Sequence, residues 1–118
     1  MKTLVLAIAL SSFVGACKKQ EAKPQQAAPA MPAEEAKRAD DACKLYVERV
    51  CACASTVNDA VKQCELARAL PEAVRIGLEV AASPDSKPDV VQQSYASVRK
   101  TAKECIEQTA KLPALGCQ

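Results

Sequence analysis

Six cysteines constrain this chain more than any other feature. Cys43, Cys51, Cys53, Cys64, Cys105 and Cys117 all fall in a stretch that is otherwise poor in core-forming residues. Residues 34–118 contain no tryptophan and no phenylalanine, have Tyr46 and Tyr95 as their only aromatics, and hold fifteen alanines. A domain of about 80 residues with so little apolar surface per residue is marginal without reinforcement. An even number of cysteines in a small exported domain reads as a disulfide framework. The fold must therefore be one that modest side chains and covalent staples hold together.

The spacing of apolar residues is helical throughout this region. From Glu34 onward, Cys43, Val47, Val50, Cys51 and Ala54 form one stripe, with Glu34, Glu35, Asp40 and Asp41 placing acid toward the helix N-terminus. After a break near Ala54-Ser55, Thr56-Val57-Asn58-Asp59 resembles a capping box with Asp in place of Glu, so Ser55 or Thr56 is expected to cap a second helix. That helix carries Val57, Ala60, Val61, Cys64 and Ala67 on one face, and a kink or a new start is expected at Pro71. Leu70, Val74, Leu78 and Ala81 continue the pattern, and Ser83-Pro84-Asp85-Ser86-Lys87-Pro88 is a loop. A last helix begins at Pro88 or Asp89, carries Val91, Tyr95, Val98, Ala102, Cys105 and Leu112, and stops at Pro113 before a folded-back tail. No segment alternates with period two over strand length. The expected class is all-α: a small antiparallel bundle of three helices, or four if Pro71 separates two, stapled by disulfides and preceded by a disordered tether.

Six cysteines allow fifteen pairings. In an up-down-up bundle the first and last helices run parallel, which favours Cys43–Cys105 and Cys51–Cys117, with Cys53–Cys64 closing a short local loop. Cys51 and Cys53 lie about 200° apart around a helix and should take different partners. The main rival joins Cys43 to Cys64 across an antiparallel hairpin.

The first 33 residues are of another kind. Lys2, the apolar run Leu4-Val5-Leu6-Ala7-Ile8-Ala9-Leu10 and the small residues after it have the anatomy of an export signal, and the apolar part is short of the ~20 residues a spanning helix needs. Val14-Gly15-Ala16-Cys17 resembles the lipobox of bacterial lipoproteins. The resemblance implies a signal peptide over 1–16, a diacylglycerol on the Cys17 sulfur, cleavage before that residue, and N-acylation of its new amino group. It also implies, from Lys18 in place of Asp, delivery to the outer membrane of a Gram-negative host. Residues 17–33, with Pro24, Pro29 and Pro32 among Gln and Ala, then form a flexible tether that builds no core. Lys18, Lys19 and Lys23 can touch anionic headgroups or simply solubilise the tether. Two or three acyl chains hold a protein in a membrane stably where one holds weakly.

The chemistry available is restricted. There is no histidine, which removes the commonest general base, haem attachment and most zinc sites. The three glycines, Gly15, Gly77 and Gly116, make no phosphate-binding loop. Cys51-Ala52-Cys53 with Cys64 has the composition of a soft-metal site, against which stands oxidation of all three to disulfides. Asp40, Asp41, Glu104 and Glu107 read as solvated helix faces rather than acid–base pairs. Arg99, Lys100 and Lys103 make a small basic face expected to be balanced by Glu104 and Glu107 along the same helix. Tyr46 and Tyr95 read as core residues or as the lining of a pocket between helices. Residues 34–118 carry twelve basic and thirteen acidic side chains, a net charge near −1 that gives no reason to expect nucleic-acid binding.

Residues 43–118, through Cys43 and Cys51, Leu70-Pro71-Glu72-Ala73, Cys105 and Gly116-Cys117, also resemble a loose group of small cysteine-containing bacterial lipoproteins, to which Cys53 and Cys64 look like an addition. That resemblance implies no activity. The expectation is a non-enzymatic envelope structural or protein-interaction module, with a membrane and an envelope protein as partners and no cofactor beyond the acyl groups. The alternatives are a carrier or chaperone for an apolar ligand, and an inhibitor of a periplasmic or extracellular enzyme.

Overall fold

The structure, a computed structural model, describes residues 29–118; the expected leader, Cys17 and most of the expected tether lie outside the described residues. The described chain is all-α. Four helices, α1 (Ala33–Cys53), α2 (Asp59–Ala67), α3 (Ala69–Ala82) and α4 (Pro88–Lys111), are followed by a 3-10 turn over Leu112–Leu115. α1 buries Ala39, Cys43, Tyr46, Val50 and Cys53, a regular helical stripe, while Val47, Cys51 and Ala54 of the expected stripe are only partly buried. The packing also takes in Met31, from the stretch read as spacer. Met31 stands one residue before the helix cap Pro32, whose carbonyl accepts the N–H groups of Glu35 and Ala36 at 2.9 and 3.0 Å.

The turn between α1 and α2 differs from expectation. Ser55 Oγ donates to the Ala52 carbonyl at 2.8 Å and Thr56 Oγ1 to that of Cys53 at 3.2 Å, so both hydroxyls close the end of α1 instead of capping α2. The cap position of α2 is Asn58, which makes no side-chain cap bond. α3 then begins at Ala69 after the single residue Arg68. Pro71 occupies the third position of α3, where a missing N–H leaves no intrahelical bond unmade. The proline therefore lies just inside a new helix start rather than at a kink.

Ser83 and Lys87 are extended, as residues before proline tend to be, and Pro88 is the first residue of α4. The five-residue loop returns α4 against α3, and Gly77 lets the two approach closely: a Cβ there would stand 2.6 Å from Val98 Cγ2. α1 and α4 run side by side in the same direction, as expected. Glu35 meets Arg99, Cys43 meets Cys105, and Cys53 meets Cys117. At the C-terminus, Gly116 (φ 89°) closes the 3-10 turn. Its N–H donates to Pro113 O and that of Cys117 to Leu112 O, the paired bonds of a Schellman cap.

Three disulfides join all six cysteines. Cys43–Cys105 is the expected bridge, with Cα atoms 5.0 Å apart. The other two exchange the expected partners: Cys51 is bound to Cys64 (Cα–Cα 4.7 Å) and Cys53 to Cys117 (5.4 Å). Cys43 is thus not joined to Cys64. The reason lies in the helix surface. Eight and ten residues on from Cys43, at about 100° per residue, Cys51 and Cys53 lie about 80° to either side of it. α2 folds back on the Cys51 side, and the C-terminal turn closes on the Cys53 side. In the chain-entropy description the short closure contributes about 3 kcal/mol and each long one about 4, without full additivity.

Candidate functional site

Among the described residues, three grooves between helices have mainly apolar lining: one of about 470 Å³ between α1 and α3, with Ala36, Pro71, Val74 and Leu78 in its walls, and two that run along α4. The first of these two lies between α1 and α4, where the chain enters the fold. Met31, Ala39, Val98, Ala102 and Ile106 line it, and its volume is about 460 Å³. Ile106 is well exposed at its edge. Two ion pairs stand on its rim, one joining the two helices and one along α4. The Arg99 guanidinium donates to both oxygens of Glu35, at 2.6 and 3.2 Å, and holds that carboxyl below the ordinary glutamate range. Lys103 stands 3.6 Å from Glu107. The basic face of α4 is therefore balanced by Glu107 of the same helix, as expected, and by Glu35 of α1, whereas Glu104 forms no ion pair with it.

The second groove along α4, about 340 Å³, lies beside Tyr46. α2 contributes Gln63, Leu66 and Ala67 as one wall, with Leu70 of α3 and Glu104 and Gln108 of α4 opposite. Tyr46 belongs to the buried core as well as to this lining, and burial, reinforced by Glu104, pushes its phenol above the ordinary tyrosine range. Tyr95 packs partly buried against the core.

Of the four carboxylates considered for acid–base pairing, Asp40, Asp41 and Glu107 are each paired with a lysine, and Glu104 has no ion-pair partner among the described residues. Asp41 binds Lys37 and Asp40 binds Lys44, each at 2.5 Å across one helical turn of α1. Arg75 is clamped between Glu72 and Glu79 on α3, which holds the Glu72 carboxyl below its ordinary range. These are exposed i,i+3 and i,i+4 pairs that brace single helices, and they do not bring two carboxyls to a common proton. Cys51 and Cys64, considered as soft-metal ligands with Cys53, are bound to each other, and Cys53 to Cys117. Among the described residues no group of three or more His, Cys, Asp or Glu side chains is disposed to hold a metal ion. No described helix is long and apolar enough to cross a membrane. Cys17, the expected lipidation site, lies outside the described residues.

Sequence reasoning missed Met31 and the Glu35–Arg99 pair. The first left a signal, since Met31 stands one place before the cap and Ala36 at the fourth helical position, the two places of a hydrophobic staple. The second left none, because the pair joins residues 64 apart. No protein-family model, no curated protein and no solved structure matches this chain.

Proposed function

We propose that this protein is an exported lipoprotein, held in the membrane by acyl chains on Cys17, whose helical domain acts as a non-enzymatic envelope structural or protein-interaction module. One observation carries the reading. The six cysteines of residues 34–118 pair among themselves, which sets the seventh, Cys17, apart from the disulfide framework at the end of an apolar leader. Three bridges also suit an oxidising compartment outside the cytoplasm. In this reading a diacylglycerol on the Cys17 sulfur and an N-acyl group supply the anchor, the outer membrane is the destination, and the tether holds the domain clear of the surface.

Cys17→Ala is expected to abolish labelling by radioactive palmitate and to leave the leader uncut. Palmitate incorporated by that variant would refute the site. Intact-mass measurement of the membrane form should show the acyl groups together with no free thiol. The groove lined by Met31, Val98, Ala102 and Ile106 favours a second reading, a carrier of an apolar ligand. Lipid extracted with the purified protein, or a hydrophobic dye bound there and lost in Ala102→Arg, would support the carrier over the interaction module.

A further inference from the structure

We propose that the Cys51–Cys64 bridge is a thiol-exchange site, opened by a dithiol protein reductant while the other two bridges stay closed, and that opening it releases α2 from the bundle. Accessibility singles this bridge out. Cys43 and Cys105 are fully enclosed, and Cys53, Cys64 and Cys117 are buried; Cys51 alone among the six is only partly buried.

Its position gives the opening a structural consequence. α2 has nine residues, below the length at which a helix persists by itself, and no side chain caps its first turn. It rests chiefly on α1, where it buries only the small side chains Ala60, Cys64 and Ala67; its larger Val61 and Leu66 face solvent. Little apolar area holds α2 once the bridge is gone. The remaining helices keep their own contacts, with α4 packed on both α1 and α3 and bound to α1 through Cys43–Cys105.

The exchange is an ordinary two-electron step. A thiolate of the reductant attacks Cys51 Sγ, the S–S bond breaks, and Cys64 departs with the bonding pair as a thiolate and takes up a proton. The reductant's second thiol then attacks the mixed disulfide, frees Cys51, and leaves the reductant oxidised. Because Gln63, Leu66 and Ala67 form one wall of the groove beside Tyr46, release of α2 opens Tyr46 and Leu70 to an apolar partner.

The test uses the full chain in detergent micelles, treated with graded dithiothreitol, quenched with N-ethylmaleimide and mapped by peptide mass spectrometry. Cys51 and Cys64 should be alkylated at least tenfold faster than the other four cysteines. Hydrogen exchange at residues 59–67 should speed by a similar factor while α1, α3 and α4 stay protected. The same pattern is expected in Cys51→Ser/Cys64→Ser without reductant, together with stronger binding of a hydrophobic dye. Simultaneous opening of all three bridges, or earlier opening of another, overturns the proposal. So does retained protection of α2, or collapse of the whole bundle, in the double variant.

Discussion

Gly77 sits where α3 packs closely on α4, and its substitution sets two effects against each other. Alanine gains about 1 kcal/mol in the interior of a helix. The added Cβ would meet Val98 Cγ2 at 2.6 Å, and Val98 is a stiff, fully buried side chain with no room to turn away. Overpacking of this kind costs about 1–3 kcal/mol. The clash wins, and Gly77→Ala should lower the melting temperature by roughly 5 °C. In a Val98→Ala background the obstacle is gone and the same substitution should become stabilising; a double-mutant cycle by thermal melting checks the change of sign. Gly116 has a different constraint, since its nearest side-chain atom leaves room for a Cβ at 3.9 Å but its φ of 89° does not suit one. Gly116→Ala should cost about 1–2 kcal/mol through backbone strain alone, measured as a lowered urea midpoint with all three disulfides still present.

Element by element, what the sequence disclosed followed from local periodicity, and what it hid was decided between elements. The stripes on α2, α3 and α4 are the buried or half-buried faces, apart from exposed Val61, because 3.6-residue spacing is a property of one helix at a time. The choice between Cys51 and Cys53 for Cys117 was not available locally, since both flank Cys43 symmetrically and only the side on which α2 folds back separates them. The same holds for the candidate sites. Tyr46 was legible as a core or pocket residue, while the grooves themselves arise from pairs of helices. The start of α1 was legible to within one residue, but the core's edge was missed for a simpler reason: Met31 is flanked by prolines and alanines that signal a spacer, yet it is 8 % exposed and packs with the core. Met31→Ala should therefore destabilise the domain by about 1–2 kcal/mol, a burial-sized loss. Chemical denaturation of the two forms measures it, and an unchanged midpoint would return Met31 to the tether.

For the molecule as a whole, the largest fully enclosed side chains are Val50, Val74, Val98, Cys43 and Cys105. A core built mainly of valine, alanine and cysteine, with Tyr46, Leu112 and Met31 as its few larger side chains, supplies little more than the marginal stability of small domains, so bridges contributing about 3–4 kcal/mol each are a major part of it. Loss of Cys43–Cys105 in a Cys43→Ser/Cys105→Ser variant should cost about 4 kcal/mol and bring the fold close to its melting point at 37 °C, as circular dichroism on heating would show. The pH profile follows from what titrates. With no histidine in the chain and the six described cysteines oxidised, nothing there changes charge in the neutral range, so stability should be level between about pH 5.5 and 9. On the acid side, Arg99 and Arg75 hold the carboxyls of Glu35 and Glu72 below their ordinary range. Their contribution is complete above the ordinary glutamate pKa of about 4.3 and disappears as the pH falls through the lowered folded values. On the alkaline side, Tyr46 is raised by burial and Lys44 by its hydrogen bond to Asp40. Both favour the protonated group in the fold, so their contribution is complete below about pH 10 and disappears as the pH rises through the raised values. Urea midpoints taken from pH 2 to 11 should trace a flat top with two falling limbs. Glu35→Gln/Glu72→Gln should flatten the acid limb alone and Tyr46→Phe the alkaline one, whereas a step near pH 6.5 would reveal a titrating group that this chain does not possess.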